Sequence, residues 1–285
     1  MLTYFAGDVK TQEQVFYFCS DIHFGSPNSD VKLFKEELKQ AKERKARILI
    51  IGDLFDAIYP LGDPRYNPSS LIEELQGRDD APLKAVMLMS EILKPYQEHI
   101  DLISMGNHEA ILLKHTGNHL IKMLLMLLNQ DRQHKILYGG YTGYIGYRFK
   151  RYKATKILSI LYHHGSGGGA PVTKGLIDVN RKQTNWDYDI FIFGHKHNAW
   201  GIRGVRISPV YPNSRSKTGY IKATDIRAIQ IGNFYKNYNK DNSDGVPSYE
   251  EIKQHAPKPL GGVFVKVKLV RTREQNLMFK IKVEV

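Results

Sequence analysis

The sequence points to an α/β fold in which two mixed sheets pack face to face and helices cover the outside. Two observations carry this reading. Up to about residue 129, short apolar β-branched runs alternate with stretches of helical periodicity. From about residue 135 the chain turns strand-rich, and one late run alternates apolar and charged residues as a half-buried antiparallel strand does.

Val15–Ser20 is a short aromatic and β-branched run, read as a buried strand that ends on Cys19 and Ser20. Asp30–Arg44 has helical spacing at Val31, Phe34, Leu38 and Ala41, with Asp30 placed to cap it. Arg47–Ile51 reads as a second buried strand. Tyr59–Asp80 is rich in Pro, Gly and Asp and reads as an inserted loop at the rim of a site. Leu83–Tyr96 is helical by composition, Ile100–Ser104 is a third strand, and a long helix is expected from about Glu109 to Asn129. Lys135–Tyr152, interspersed with glycines, reads as a hairpin. Lys156–Tyr162 and Asp189–Phe193 are further buried strands. Ala199–Ile207, Arg227–Ile231, Val263–Val270 and Leu277–Val285 follow, so residues 199–285 are expected to supply second-sheet strands and a C-terminal hairpin. In Val263–Val270, Val265, Val267 and Leu269 take one face while Lys266 and Lys268 take the other. With no repeat or low-complexity linker, a single domain over residues 1–285 is expected.

The chain of 285 residues is 42% hydrophobic and 25% charged, the balance of a folded globular protein rather than a disordered one. Its formal net charge of +12 favours a polyanionic partner, with nucleic acid ahead of an anionic membrane surface. Cys19 is the sole cysteine, which excludes an internal disulfide and any cysteine-based zinc site. Met1–Lys10 lacks an apolar signal core, and Ile121–Leu128 is too short to span a bilayer. A cytoplasmic protein with no membrane insertion is expected.

Five short motifs, each behind a strand-like run, carry the chemistry. They are Asp21-Ile22-His23, Gly52-Asp53-Leu54-Phe55-Asp56, Gly106-Asn107-His108-Glu109, His163-His164-Gly165 and Gly194-His195-Lys196-His197. Residues that follow strands gather at one sheet edge. On an extended segment Asp21 and His23 share a face, as do His195 and His197. Asp53 is a hard oxygen donor able to bridge two ions, and Asn107 offers a neutral amide oxygen. Mixed oxygen and imidazole donors suit Mn²⁺, Fe or Zn²⁺ better than Ca²⁺ or Mg²⁺ alone. Two such ions about 3.5–4 Å apart lower the pKa of a bound water and neutralise phosphoryl charge.

The motif series resembles that of the calcineurin-like metallophosphoesterases, with all five blocks in order from Asp21 to His197. The resemblance implies a four-layer α/β/β/α sandwich and two divalent metal ions, Mn²⁺ first, with Fe, Zn²⁺, Ni²⁺ or Mg²⁺ as alternatives. It implies that Asp21, His23 and His197 hold one metal, that Asp53 bridges, and that Asn107, His164 and His195 hold the other. His108 would be catalytic, protonating the leaving oxygen or stabilising the transition state. Asp56 and Glu109 are read as carboxylates that orient a ligand or catalytic histidine. Of the two adjacent histidines, His164 borders the glycine and matches the motif, while His163 should face the other way if the strand continues. The Ser166–Gly169 run fits either a backbone approach to phosphate or a tight turn. His115 and His119, four apart, fit a solvated helix face.

The implied reaction is metal-dependent hydrolysis of phosphodiester bonds, with DNA or RNA as the expected substrate. A phosphomonoesterase acting on proteins or small metabolites is the enzyme alternative, and a metal-stabilised binding scaffold the non-enzymatic one. Two basic stretches bear on substrate: Arg148, Lys150, Arg151, Lys153 and Lys156, and, just past the last motif, Arg203, Arg206, Arg215, Lys217 and Lys222. The second is the candidate substrate contact. More loosely, Gly232–Lys236, Ser248–Glu251 and Pro259–Gly262 resemble the tails of small phage- and prophage-associated members.

Overall fold

The computed structural model describes residues 1–59, 66, 70–167, 173, 176–183, 185–211, 218–236, 254, 256–272 and 277–284. Two six-stranded mixed sheets form the centre. The first has the order β1 (Leu2–Val9), β6 (Thr142–Arg151), β7 (Ala154–His163), β8 (Ile190–Phe193), β10 (Tyr220–Gln230), β9 (Trp200–Val210). The second has the order β12 (Leu277–Glu284), β11 (Val263–Arg271), β2 (Glu13–Cys19), β3 (Arg47–Ile51), β4 (Ile100–Ser104), β5 (Leu137–Tyr138). In the second sheet β2, β3, β4 and β5 are mutually parallel, and β11 and β12 add antiparallel pairs at one side.

Three apolar layers hold the sheets. Between them, Phe16, Phe18, Leu49 and Ile51 meet Ile145, Tyr147, Leu158, Ile160, Tyr162 and Ile192. On the far side of the second sheet, Tyr17, Ile48 and Ile50 pack on α1 (Val31–Glu43), α2 (Ala81–Leu93) and α4 (Leu120–Leu128) through Phe34, Leu38, Val86, Met89, Leu124 and Leu125. β3 is therefore buried on both faces, which is why it reads as the unbroken run Ile48–Ile51. On the outer side of the first sheet, Val179 of α5 (Leu176–Gln183) joins Leu161, Tyr188, Phe191 and Phe193. The α/β/β/α order is complete, with a thin fourth layer.

The helix α1 keeps its expected start: Asp30 accepts a hydrogen bond from the Leu33 N–H at 3.0 Å. Other expectations need correction. The long helix from Glu109 to Asn129 is two helices, α3 (Asn107–Thr116) and α4, broken at Gly117, whose φ of +75° ends α3 in the left-handed conformation. Lys135–Tyr152 is not a hairpin by itself. Its first part, β5, pairs parallel with β4, and the real hairpin is β6–β7, turning at Tyr152. β1 and α5 were not expected; β1 is an edge strand parallel to β6. Residues 199–285 are divided between the sheets, β9 and β10 in the first and β11 and β12 in the second. Within Tyr59–Asp80, a short 3₁₀ turn at Glu73–Leu75 is described, while residues 60–65 and 67–69 lie outside the described part, as do 248–251.

Candidate metal centre

All five motifs meet at one end of the two-sheet sandwich, at the C-terminal ends of β2, β3, β4, β7 and β8. The loops there continue the strand pairing. Asp21 N–H donates to Gly52 O, His23 N–H to Asp53 O and Phe24 N–H to Leu54 O, so the first two motifs run side by side. Gly194 N–H donates to His164 O, and Phe234 N–H to Asp21 O. The close packing needs glycine, as Gly52 and Gly106 show. A Cβ on Gly52 (φ +79°) would lie 2.5 Å from His164 Nδ1, and one on Gly106 would strike the Asp53 carboxylate.

The backbone at the motifs is not extended, which corrects the reason given for Asp21 and His23 sharing a face. Asp21, His23, Asp53, His195 and His197 have φ of 54°, 51°, 46°, 71° and 53°. Among the described residues these are five of the nine non-glycine residues with positive φ. Each costs about 1–3 kcal/mol and persists where the surroundings enforce it, a signature of functional loops.

Two clusters of donor atoms face each other. In the first, Asp21 Oδ1 lies 3.2 Å from His197 Nε2 and 4.0 Å from His23 Nε2, and those two nitrogens are 3.4 Å apart. Asp21 Oδ1 is buried and, despite that proximity, has no hydrogen-bond partner of acceptable geometry. Asp21 Oδ2 is occupied, accepting from the Ser20 hydroxyl and the His195 N–H. In the second cluster, His164 Nε2 lies 3.1 Å from both Asp53 Oδ2 and Asn107 Oδ1, with His195 alongside. Asp53 Oδ1 accepts the His108 N–H at 3.0 Å.

The far nitrogens of the imidazoles are tied to oxygens. His23 Nδ1 is 3.2 Å from Asp56 Oδ1, His164 Nδ1 donates to Ile51 O at 2.9 Å, and His195 Nε2 donates to Gly167 O at 3.1 Å. Each bond fixes a tautomer and leaves the other nitrogen for a ligand. His108 Nδ1 donates to the Asp56 carbonyl, so its proton is on Nδ1 and Nε2 is the nitrogen left for chemistry. His23, Asp56 and His108 also lie close enough to form a third cluster, but Asp56 meets the ring edge of His23 that points away from Asp21. We read it as a support for the two histidines. Glu109, 1% exposed, accepts the N–H groups of Phe55 (2.8 Å) and Gly106 (2.9 Å), joining the second motif to the third.

The electrostatics call for cations. Burial works to raise the Asp21 carboxyl, but the neighbouring His197 and His164 outweigh it and hold it at about 2. Burial works equally against a charged His23, yet Asp56, Asp53 and Asp21 push it up to about 9. His164, buried beside Asp53, is pushed up to about 10. Burial lowers His195 and His197. Without other positive charge, protons on His23 and His164 stand where the carboxylates require it. An orphaned carboxylate oxygen, paired imidazoles with fixed tautomers and a mixed N/O donor set all fit divalent metal ions.

His163 is half-buried outside these clusters. Its Nδ1 accepts the Gly165 N–H at 2.7 Å, while Tyr141 donates to Gly165 O at 2.6 Å, so both hold the turn after β7. Gly168 and Gly169 lie outside the described residues. Lys196, between the two histidines of the last motif, donates from Nζ to Gly167 O at 2.8 Å. Arg203 and Arg206 are not brought to the centre. Arg203 is level with Ile190, at the other end of β8, and bonds Asp225; Arg206 bonds Asp187. Arg215 and Lys217 lie outside the described residues. His119 is no metal partner of His115 but caps α4, accepting from Lys122 N–H.

Sequence reasoning missed several neighbours of the centre. Asn233, fully buried, reaches His197 O (3.5 Å) and Pro259 O (3.1 Å), and the Tyr235 ring meets His23 edge-on at 5.5 Å. The Gly232–Lys236 run was visible, but nothing in its composition places it here.

The sequence profile of the calcineurin-like phosphoesterases matches residues 15–199, which span all five motifs. The chain belongs to this family. The phosphoesterase is accordingly a metal-dependent phosphoester hydrolase with candidate ligand clusters for divalent ions. Comparison with curated protein sequences found no match. Similar solved structures include Vps29 of Chaetomium thermophilum, 9% identical over 96% of this chain and 97% of that one (TM-score 0.35). They also include a metallophosphoesterase from Sphaerobacter thermophilus, 11% identical over 95% and 88% (0.32), and GAP50 of Plasmodium, 10% over 95% and 88% (0.38). At these scores the likenesses carry no argument, and family membership rests on the profile match. No helix among the described residues is long and apolar enough to cross a membrane.

Proposed function

We propose that this phosphoesterase hydrolyses phosphodiester bonds, with nucleic acid as substrate, using two divalent ions. Asp21, His23 and His197 would hold one, Asn107, His164 and His195 the other, and Asp53 would lie between. The observation that carries the reading is the buried, unpartnered Asp21 Oδ1 facing two imidazole nitrogens, beside a second such cluster at Asp53. When bound, the ions supply Lewis acidity and a water of lowered pKa.

The chain's own groups do the rest. Asp56 and the carbonyls of Ile51 and Gly167 hold the imidazoles in the tautomers that ligation needs. The Asp56 carbonyl holds His108 with Nε2 free, placed to give a proton to the leaving oxygen when the ring is charged. The net charge of +12 favours a polyanionic substrate.

A matrix of Mn²⁺, Zn²⁺, Mg²⁺ and Ni²⁺ against a monoester, a small diester, DNA and RNA tests this, with Asp53→Asn as the inactive control. Cleavage of the diester and of nucleic acid, Mn²⁺ foremost, is expected. Turnover confined to the monoester would replace the reading with a phosphomonoesterase, and no turnover at all would remove it.

A further inference from the structure

We propose that the outward face of the β11–β12 hairpin binds the phosphate backbone of a nucleic acid through a two-by-two grid of lysines. The inference deepens the phosphodiesterase reading and rests on it for the identity of the polyanion.

The register sets the grid. Lys266 is directly opposite Lys282, and Lys268 directly opposite Lys280. Their neighbours Val265, Val267, Leu269 and Ile281 point the other way, into the core between the sheets. Like charges directly opposite on adjacent strands destabilise a sheet, and here the arrangement occurs twice in succession. Two carboxylates relieve it only in part. Glu13 lies 2.6 Å from Lys266 and 3.7 Å from Lys268. Glu284 lies 3.3 Å from Lys282 but is also bonded by Arg44 at 2.5 Å. Lys280 has no acidic partner among the described residues. Five cations against two carboxylates leave this face at about +3, and a polyanion would remove the repulsion.

The spacing and the surroundings favour a nucleic acid over a membrane. Lysines two apart on one strand are separated by roughly 6.6–6.8 Å. That is close to two rises of about 3.4 Å along the axis of a duplex, the axial spacing of charges on one strand. The face forms a shallow cleft of about 320 Å³. None of the exposed large hydrophobic side chains of the described residues is on β11 or β12, so nothing there would insert into a bilayer.

The hairpin also starts at the metal centre. Asn233, which reaches His197 O, accepts the Gly261 N–H, and β11 begins at Val263. Lys266 and Lys268 lie four and six residues past Gly262. At about 3.3 Å per residue that is roughly 13 and 20 Å, or about four to six base pairs along the axis of a duplex. By contrast, Arg203 and Arg206 are each bonded to an aspartate away from the centre.

The test is fluorescence anisotropy with labelled single-stranded and duplex DNA of about 20 nucleotides, in EDTA, across a KCl series. Full-length protein carrying K266Q, K268Q, K280Q and K282Q together is compared with wild type and with the four Lys→Arg changes. The glutamine variant should bind at least about tenfold more weakly near 100 mM KCl, and its log–log salt slope should shrink by roughly 3. The arginine variant should keep both, and turnover of a small diester should be unchanged in all three. An unaltered Kd and slope in the glutamine variant would overturn the proposal. So would a wild type that ignores DNA and binds phosphatidylserine vesicles through the same lysines. DNA binding lost with the lysines while the wild type turns over no diester would sink the phosphodiesterase reading and leave this surface standing.

Discussion

Glu109→Ala removes a side chain that, beside the Asp53 bond to the His108 N–H, fastens the second motif to the third. Its carboxyl accepts the N–H groups of Phe55 and Gly106, and the residue is 1% exposed. Truncation leaves two buried backbone donors unsatisfied, each costing about 1–3 kcal/mol, so a loss of about 2–6 kcal/mol is expected. Glu109→Gln keeps one acceptor oxygen and should cost about half as much. Urea unfolding of the metal-free protein, followed by circular dichroism at about pH 5, where the carboxyl holds its proton, measures both. A pH series adds an independent reading. Burial, followed by the nearby Asp53 charge, pushes the Glu109 carboxyl from 4.5 up to about 7. Between those pH values the folded state holds the extra proton. The group's stabilisation is therefore complete below about 4.5 and is lost as pH rises through about 7, a change of roughly 3 kcal/mol. The fall should be present in wild type and absent in Glu109→Gln. An alanine variant within about 0.5 kcal/mol of wild type, or a glutamine variant as costly as alanine, would refute the reasoning.

Three further outcomes are expected. Gly106→Ala, whose Cβ would strike the Asp53 carboxylate, should abolish metal retention, read by elemental analysis of whatever protein folds. His108→Ala should keep its metal content while turnover of the diester falls by about 10²–10⁴, the usual share of a general acid; loss of metal along with turnover would argue for a ligand role instead. Lys196→Met releases Gly167, whose carbonyl also fixes the His195 tautomer, and should weaken Mn²⁺ binding about 10–100-fold in a metal titration. Unchanged binding there would show that Gly167 keeps its place without the lysine.

The strands that lead into the motifs are legible in the sequence because they are buried on both faces and read as largely apolar runs; Arg47–Ile51 and Ile100–Ser104 have the expected limits. What was not legible has physical causes. Gly117 breaks a run whose composition stays helical on both sides, and only its left-handed φ shows the break. β1 is an edge strand with a weak apolar alternation, so its pairing with β6 has no local signal. The motifs were readable as donors, but not their backbone. Asp21 and His23 converge through two left-handed residues rather than along an extended strand.

The least legible property was charge in context. Arg203 and Arg206 look free in a sequence stretch that has no nearby acid, yet Asp225 and Asp187 reach them across strands and turns. Lys266, Lys268, Lys280 and Lys282 look like the ordinary polar face of two strands until the register sets them opposite one another. A charge run in a sequence reports composition, whereas its effect depends on which charges the sheet pairs. For this phosphoesterase the pairing neutralises the arginines just past the last motif and accumulates lysine charge on a hairpin whose first residue follows the Gly261–Asn233 contact. Substrate selection by long-range charge would then be separable from hydrolysis. Lysine variants should alter the KM for long nucleic acids and leave the kcat for a small diester intact, whereas ligand variants should lower turnover of both.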